Sequence, residues 1–160
     1  MTAPSPAAIA AAQAAQKAWA IPASISLAQF GLESGWGAHM PPGTLNPFGI
    51  KARKDAAGHY IDPIAGEALT REVVRGADGK DHDVIIHAAF RKFDSLAQAF
   101  DVHARLLATG TPYAHARSLL PDVEAFVKAL TGVYATDPHY GAALTAIIRG
   151  GNLTQYDRAA

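Results

Sequence analysis

The chain is patterned at helical period near both ends and at strand period in its middle. Ser5-Pro6 has the form of an N-cap followed by proline at the first helical position. It opens an alanine-rich helix to about Trp19. Pro22 starts a second helix, in which Ile25, Leu32 and small residues form an apolar stripe that ends at or just past Gly35. Residues 38–57 contain three prolines and two glycines and predict a loop. Over residues 58–91 the character changes. Val73, Val74, Val84, Ile85 and Ile86 flank the turn signal Ala77-Asp78-Gly79-Lys80, which predicts a β-hairpin or small sheet. Helical spacing then returns. Ser95-Leu-Ala-Gln98 reads as a capping box ahead of Leu96, Phe100, His103 and Leu107. Pro121-Asp122 opens a helix carrying Val123, Phe126, Val127 and Leu130 and ended by Gly132. Asp137-Pro138 caps a last one with Leu144, Ile147 and Ile148, closed by Gly150-Gly151. The tail from Asn152 is expected to be ordered only in part. Helices, a β insert at about 55–90, then helices again predict one α+β domain over residues 1–160, with two lobes.

Composition narrows the function classes. A hydrophobic fraction of 49% and a charged fraction of 18% belong to a globular chain. Fourteen Lys+Arg balance fourteen Asp+Glu, so no global field attracts nucleic acid or an anionic membrane. Without cysteine there is no disulfide or thiolate chemistry. The alanine-rich start lacks a basic n-region, and Gln13, Gln16 and Lys17 interrupt it, so it does not read as a signal peptide. No run approaches the ~18 apolar residues of a membrane span. These features predict a soluble monomer with no cofactor, nucleic-acid partner or stable membrane insertion.

Glu33 is the first candidate for chemistry. On a helix, Gln29 lies one turn before it and Ser26 two turns before, so a polar line runs along one side. A carboxyl set against Phe30 and Trp36 is partly desolvated, which raises its pKa and suits it to general acid work. The competing reading is an ordinary solvated helix glutamate. A second carboxylate, as glycosidases usually need, is expected from the β insert. Glu67 and Glu72 are candidates there, with Asp55, Asp62, Asp78, Asp81 and Asp83 nearby, all equally readable as exposed strand charges. The seven histidines show no ligand spacing, and His103 reads as a packed core residue, so no metal is expected. There is no Gly-x-Ser-x-Gly and no phosphate loop. Trp36, Phe48, Tyr134 and Tyr140 are aromatics against which sugar rings could stack, with core packing as the alternative.

Ala28-Gln-Phe-Gly-Leu-Glu33-Ser-Gly-Trp-Gly37 followed by Asn46-Pro-Phe-Gly-Ile-Lys-Ala52 resembles the signature of glycoside hydrolase family 73. Thr70-Arg-Glu72, Phe90-Arg-Lys-Phe-Asp-Ser95 and Tyr134-Ala-Thr-Asp-Pro138 agree with it in order. The resemblance implies a lysozyme-like fold with a helical lobe, a small β lobe and a groove between them. It implies a peptidoglycan hydrolase cleaving the glycan strand after N-acetylglucosamine. It places Glu33 as general acid and Glu72 as second carboxylate on a mobile β lobe. Tyr134 and Asp137 would line the groove opposite, and Trp36, Asn46, Phe48 and Tyr140 are the further candidates for substrate contact. Pro47 departs from the leucine many members carry. A lytic transglycosylase or muramidase on the same fold is the alternative, and a non-catalytic glycan-binding module a third reading. A wall-acting enzyme without an export signal predicts a phage-type endolysin released through a pore, or delivery by a particle or secretion machine.

Overall fold

The computed structural model describes residues 3–158. Helices α1 (Pro6–Trp19) and α2 (Ala23–Ser34) precede a hairpin of β1 (Ala68–Arg75) and β2 (Asp81–Ala88). Helices α3 (Leu96–Thr109), α4 (Ala114–Ser118), α5 (Val123–Ala129) and α6 (Tyr140–Gly150) follow. Short 3-10 turns occupy Thr111–Tyr113 and Leu153–Tyr156.

Local chemistry sets most boundaries. Ser5 Oγ accepts from the Ala8 amide at 3.2 Å and starts α1, which ends where Ala20 turns left-handed. Ala8, Ala11, Ala12 and Ala15 are buried, and these small side chains let α1 lie along α3, where Ala99 and Ala104 are equally buried. Ser95 caps α3 through the Gln98 amide at 3.1 Å. Gln98 reaches back one residue further than expected, to the Asp94 amide at 2.8 Å. Asp122 caps α5 through the Ala125 amide at 2.9 Å.

Helix α2 is central and buried on nearly every side, touching α1, α6 and the Leu153–Tyr156 turn. A helix enclosed this way shows little apolar striping. Some of its buried polar groups are matched from elsewhere in the chain. Ser24 donates its hydroxyl to Asp157 at 2.8 Å and its amide to the same carboxylate at 2.7 Å. Phe30, Phe48 and Phe100 form the core behind the groove, with ring centroids 5.0–6.4 Å apart.

Two expectations need correction. The tail from Asn152 is strapped down through residue 158: Leu153 is fully buried, and Gln13 and Gln16 bond the Tyr156 and Arg158 carbonyls at 3.0 and 2.8 Å. Residues 159 and 160 lie outside the described residues. Strand pairing within the β insert is confined to residues 68–88, with 55–67 in turns and isolated bridges. The segment from Thr111 to Ser118, which no apolar periodicity announces, adds a short helical turn.

The hairpin is antiparallel, with Glu72 opposite Val84 and Arg71 opposite Ile85. Gly79, at φ +74°, makes its turn. Leu69, Val73 and Ile85 on one face, and Val74 and Ile86 on the other, are exposed. The insert therefore adds little to the core.

Candidate active site

Glu33 sits in the last turn of α2 and Tyr140 opens α6, so the contact between these two helices brings residues 107 positions apart together. The Tyr140 hydroxyl donates to Glu33 Oε1 at 2.8 Å and accepts from Gln29 Nε2 at 2.9 Å. The polar line Ser26–Gln29–Glu33 thus faces inward to α6, with Ser26 and Gln29 fully buried. Glu33 alone of the three opens to solvent. The protein packed around it desolvates the carboxyl and raises its pKa, while the Tyr140 hydrogen bond acts the other way. Tyr134 stacks on Tyr140, with centroids 5.7 Å apart and rings 10° from parallel. Burial pushes both phenols well above their ordinary range, so they remain protonated donors.

The chain leaves α2 through three consecutive left-handed residues, Gly35 (φ +56°), Trp36 (φ +61°) and Gly37 (φ +87°). This turn carries Trp36 back over α2. Its indole lies on Gly31, where an added Cβ would come within 2.7 Å of the ring, and its edge meets Phe30 at 6.1 Å. Gly31 in mid-helix is thereby explained by close approach, a reason the sequence pattern did not reveal.

Glu33 stands where two cavities meet, of about 740 and 500 Å³. The larger is lined by Phe48, Lys51, Arg53, Arg91, Arg105 and Tyr134 among others, the smaller by His39, Met40, Pro47 and Phe90. Together they form an open groove. Several predicted residues serve it indirectly. Asn46 is fully buried, its amide donating to the Ile50 and Arg91 carbonyls at 2.7 and 2.9 Å and accepting from the Ile50 amide at 3.1 Å. It pins the loop to the insert, and it also belongs to the lining of the smaller cavity. Phe48 lines the groove with an edge but is almost wholly buried. Asp137 accepts the His139 amide at 2.8 Å and shapes the entry to α6. Trp36 supports the last turn of α2.

Glu72 pairs with Lys51, a groove-lining residue, and accepts from Thr70 Oγ1 at 3.2 Å. Several other acidic residues of the insert are occupied locally. Asp55 accepts the Ala57 and His59 amides, Asp78 the Lys80 amide, and Asp81 and Asp83 pair with Arg75 and Arg71. Asp62 reaches the groove, but Arg53 grips it at 2.8 and 3.0 Å. With Arg91 nearby, that pairing holds its pKa down at about 2. Its signal was lost among the other insert acids, since only the fold buries it.

His103 stacks on Phe48 at 3.9 Å, neither ring nitrogen finds a partner among the described residues, and burial pushes its pKa down to about 3. Among the described residues no group of three or more His, Cys, Asp or Glu could hold a metal ion, and no helix is long and apolar enough to cross a membrane.

A helical lobe, a hairpin and a groove with a desolvated glutamate at its centre define a lysozyme-like glycoside hydrolase domain. Residues 9–153 match the glucosaminidase family model, described as mannosyl-glycoprotein endo-beta-N-acetylglucosaminidase, and the chain belongs to that family, glycoside hydrolase family 73. It is similar to the peptidoglycan hydrolase of Sphingomonas sp. A1, in a mutant structure, at TM-score 0.68 and 31% identity over 94% of each chain. The truncated glycoside hydrolase domain of Salmonella typhimurium FlgJ matches at TM-score 0.65 and 30% identity, over 90% of this chain and 92% of that one. In sequence it is 34% identical to an Enterococcus faecalis autolysin over 84% of this chain and 18% of that protein. It is 33% identical to exo-glucosaminidase LytG of Bacillus subtilis over 84% and 45% respectively. The chain thus spans less than half the length of these curated relatives.

Proposed function

We propose that the protein is an endo-β-N-acetylglucosaminidase that cleaves the glycan strand of bacterial peptidoglycan, with Glu33 as general acid. The observation that carries this reading is the place of Glu33, whose carboxyl lies where the two halves of the groove meet, hydrogen-bonded by Tyr140 on one side and open to the groove on the other. Desolvation raises the pKa of this carboxyl and so favours the protonated form, which can hand its proton to the leaving glycosidic oxygen. Glu72 supplies the second carboxylate, as base, nucleophile or orienting group for a substrate acetamido oxygen. The names of the family's relatives, an autolysin and peptidoglycan hydrolases among them, support the substrate. Tyr134 offers the sugar an aromatic wall.

One observation favours a second reading. The Lys51 ion pair occupies Glu72 and leaves Glu33 the freer carboxyl, which suits a lytic transglycosylase using one group as acid and then base. Mass spectrometry of purified peptidoglycan digests separates the two. Hydrolysed N-acetylglucosamine ends support the glucosaminidase, anhydro-muramyl ends the transglycosylase, and plain muramyl ends a muramidase. No new ends at all would leave only a glycan-binding module.

For cellular setting we infer a phage-type endolysin. Expression in a bacterial cytoplasm should then leave cells intact until a membrane pore-former is co-expressed. Lysis by the chain alone would count against that setting without touching the chemistry.

A further inference from the structure

The geometry points to Gln29 as a positioning residue that decides which oxygen of Glu33 carries the acid proton. The inference rests on Glu33 being the general acid. Gln29 is fully buried in α2 and touches no part of the groove. Its Nε2 can only donate, and it donates to the Tyr140 oxygen at 2.9 Å. A phenol has a single hydrogen. With its oxygen already accepting from Gln29, that hydrogen is left to Glu33 Oε1, 2.8 Å away. Oε1 is therefore an acceptor whether Glu33 is ionised or neutral. A proton placed on Oε1 would turn the carbonyl oxygen that accepts the Tyr140 hydrogen into a hydroxyl oxygen, a much poorer acceptor. The neutral acid must carry its proton on Oε2. From Oε2 the proton passes to the glycosidic oxygen as the bond from that oxygen to the anomeric carbon breaks. The carboxylate formed keeps its hydrogen bond from Tyr140, and nothing in the buried pair has to rearrange during the step.

A hydroxyl alone would not enforce this polarity. Were residue 29 apolar, the Tyr140 hydroxyl could rotate and accept from a proton on Oε1, drawing the acid proton away from the groove. Were residue 29 an acceptor, it would take the Tyr140 hydrogen for itself. Gln29 Oε1 has no partner among the described residues, so it is the donor end of this amide that the fold uses.

The test is the pH dependence of kcat and KM on soluble peptidoglycan strands for Gln29→Met, Gln29→Glu, Tyr140→Phe and Gln29→Met/Tyr140→Phe. The charged and titratable groups facing Glu33's surroundings stay in place in the Gln29 variants. These are Tyr113, Tyr134 and Tyr140 toward α6, Lys51, Arg53, Asp62 and Arg91 along the insert, Arg105 on α3, and His39 after α2. Gln29→Met is nearly isosteric and should lower kcat by about ten- to a hundredfold, the usual cost of a misplaced reacting group. KM should stay unchanged. Its alkaline limb should move to higher pH, because the tyrosine no longer holds the carboxylate as firmly. Gln29→Glu should shift the limb the same way. In the Tyr140→Phe background, Gln29→Met should change neither kcat nor the limb, since the route through the phenol is already gone. Equal effects in both backgrounds, or a wild-type pH profile in a folded Gln29→Met protein, overturn the inference. Should Gln29→Met not fold, Gln29→Glu and Tyr140→Phe decide it alone, and an unmoved limb in both overturns it. Glu33→Gln run alongside keeps the two levels apart. If Glu33→Gln turns over normally, the general acid reading itself is wrong. If Glu33→Gln is dead while the Gln29 variants match wild type, only the positioning role fails.

Discussion

Tyr134 and Tyr140 lie face to face, 5.7 Å between centroids and 10° from parallel, with the hydroxyl of the inner ring on Glu33 and the outer ring in the groove. The outer ring covers the inner one and so helps to hold the Tyr140 hydroxyl on Glu33. Tyr134→Phe should preserve this stack, leaving stability within about 0.5 kcal/mol of wild type. Turnover should fall about tenfold if the hydroxyl bonds substrate, corresponding to ~1.4 kcal/mol. Tyr134→Ala should lose both turnover and about 3 kcal/mol of stability. Equal kinetics for Tyr134→Phe and wild type would restrict this tyrosine to packing.

Glu33→Gln should remove activity by on the order of 10²–10⁴ and reveal a pH signature in stability. The folded-state pKa of Glu33 is raised, so the native protein holds this proton more firmly than the unfolded chain. That contribution is complete below the unfolded carboxylate range and is lost as pH rises through the folded value. Glutamine cannot ionise. The melting temperature of the variant relative to wild type should therefore climb as pH rises from the unfolded carboxylate range through the raised folded value. A flat or falling difference contradicts the desolvated carboxyl.

Glu72→Gln tests the second carboxylate. A base or nucleophile should cost on the order of 10²–10⁴ in rate when replaced, with unchanged substrate ends in whatever product remains. Near-normal activity with anhydro ends would replace the hydrolase reading by the transglycosylase. Near-normal activity with hydrolysed ends would move the role to Glu67 or a neighbouring aspartate.

His103 titrates in the unfolded chain near 6.5 but is held down to about 3 in the fold. Its unfolded form therefore binds a proton that the native form refuses, and stability falls as pH drops from about 6.5 toward 3. His103→Phe keeps a ring beside Phe48 and removes two unpartnered nitrogens. It should flatten that slope and match or exceed wild type by up to ~1 kcal/mol at neutral pH. A large loss of stability at neutral pH would show that the histidine has a polar partner after all.

Hydrogen exchange should find β1 and β2 the least protected regular structure. Only two strands pair, and Leu69, Val73, Val74, Ile85 and Ile86 are exposed. Protection equal to that of α2 would rule out a hinged lobe.

Local pattern was enough to find α1, α2, the hairpin, α3, α5 and α6, because caps, prolines and short-range periodicity act within a few residues. It also made Glu33 stand out, since a carboxyl in line with Gln29 and Ser26 on a core helix is visible in two turns of sequence. The resemblance of the motifs around Glu33 pointed to the family that the comparison then established. What stayed hidden depends on distant partners. Asn46 reads as a polar loop residue until Ile50 and Arg91 enclose its amide. The packing of Trp36 on Gly31 is set by three left-handed residues that bring the indole back over α2. The tail reads as loose until Gln13, Gln16 and Ser24 tie it down. The sequence by itself determined most of the elements and singled out Glu33 as the candidate acid, because those follow from residue type and near neighbours. Only the packing of α2 on α6 decided which groups surround that acid, because desolvation and hydrogen-bond direction arise where residues 29, 33 and 140 meet in space.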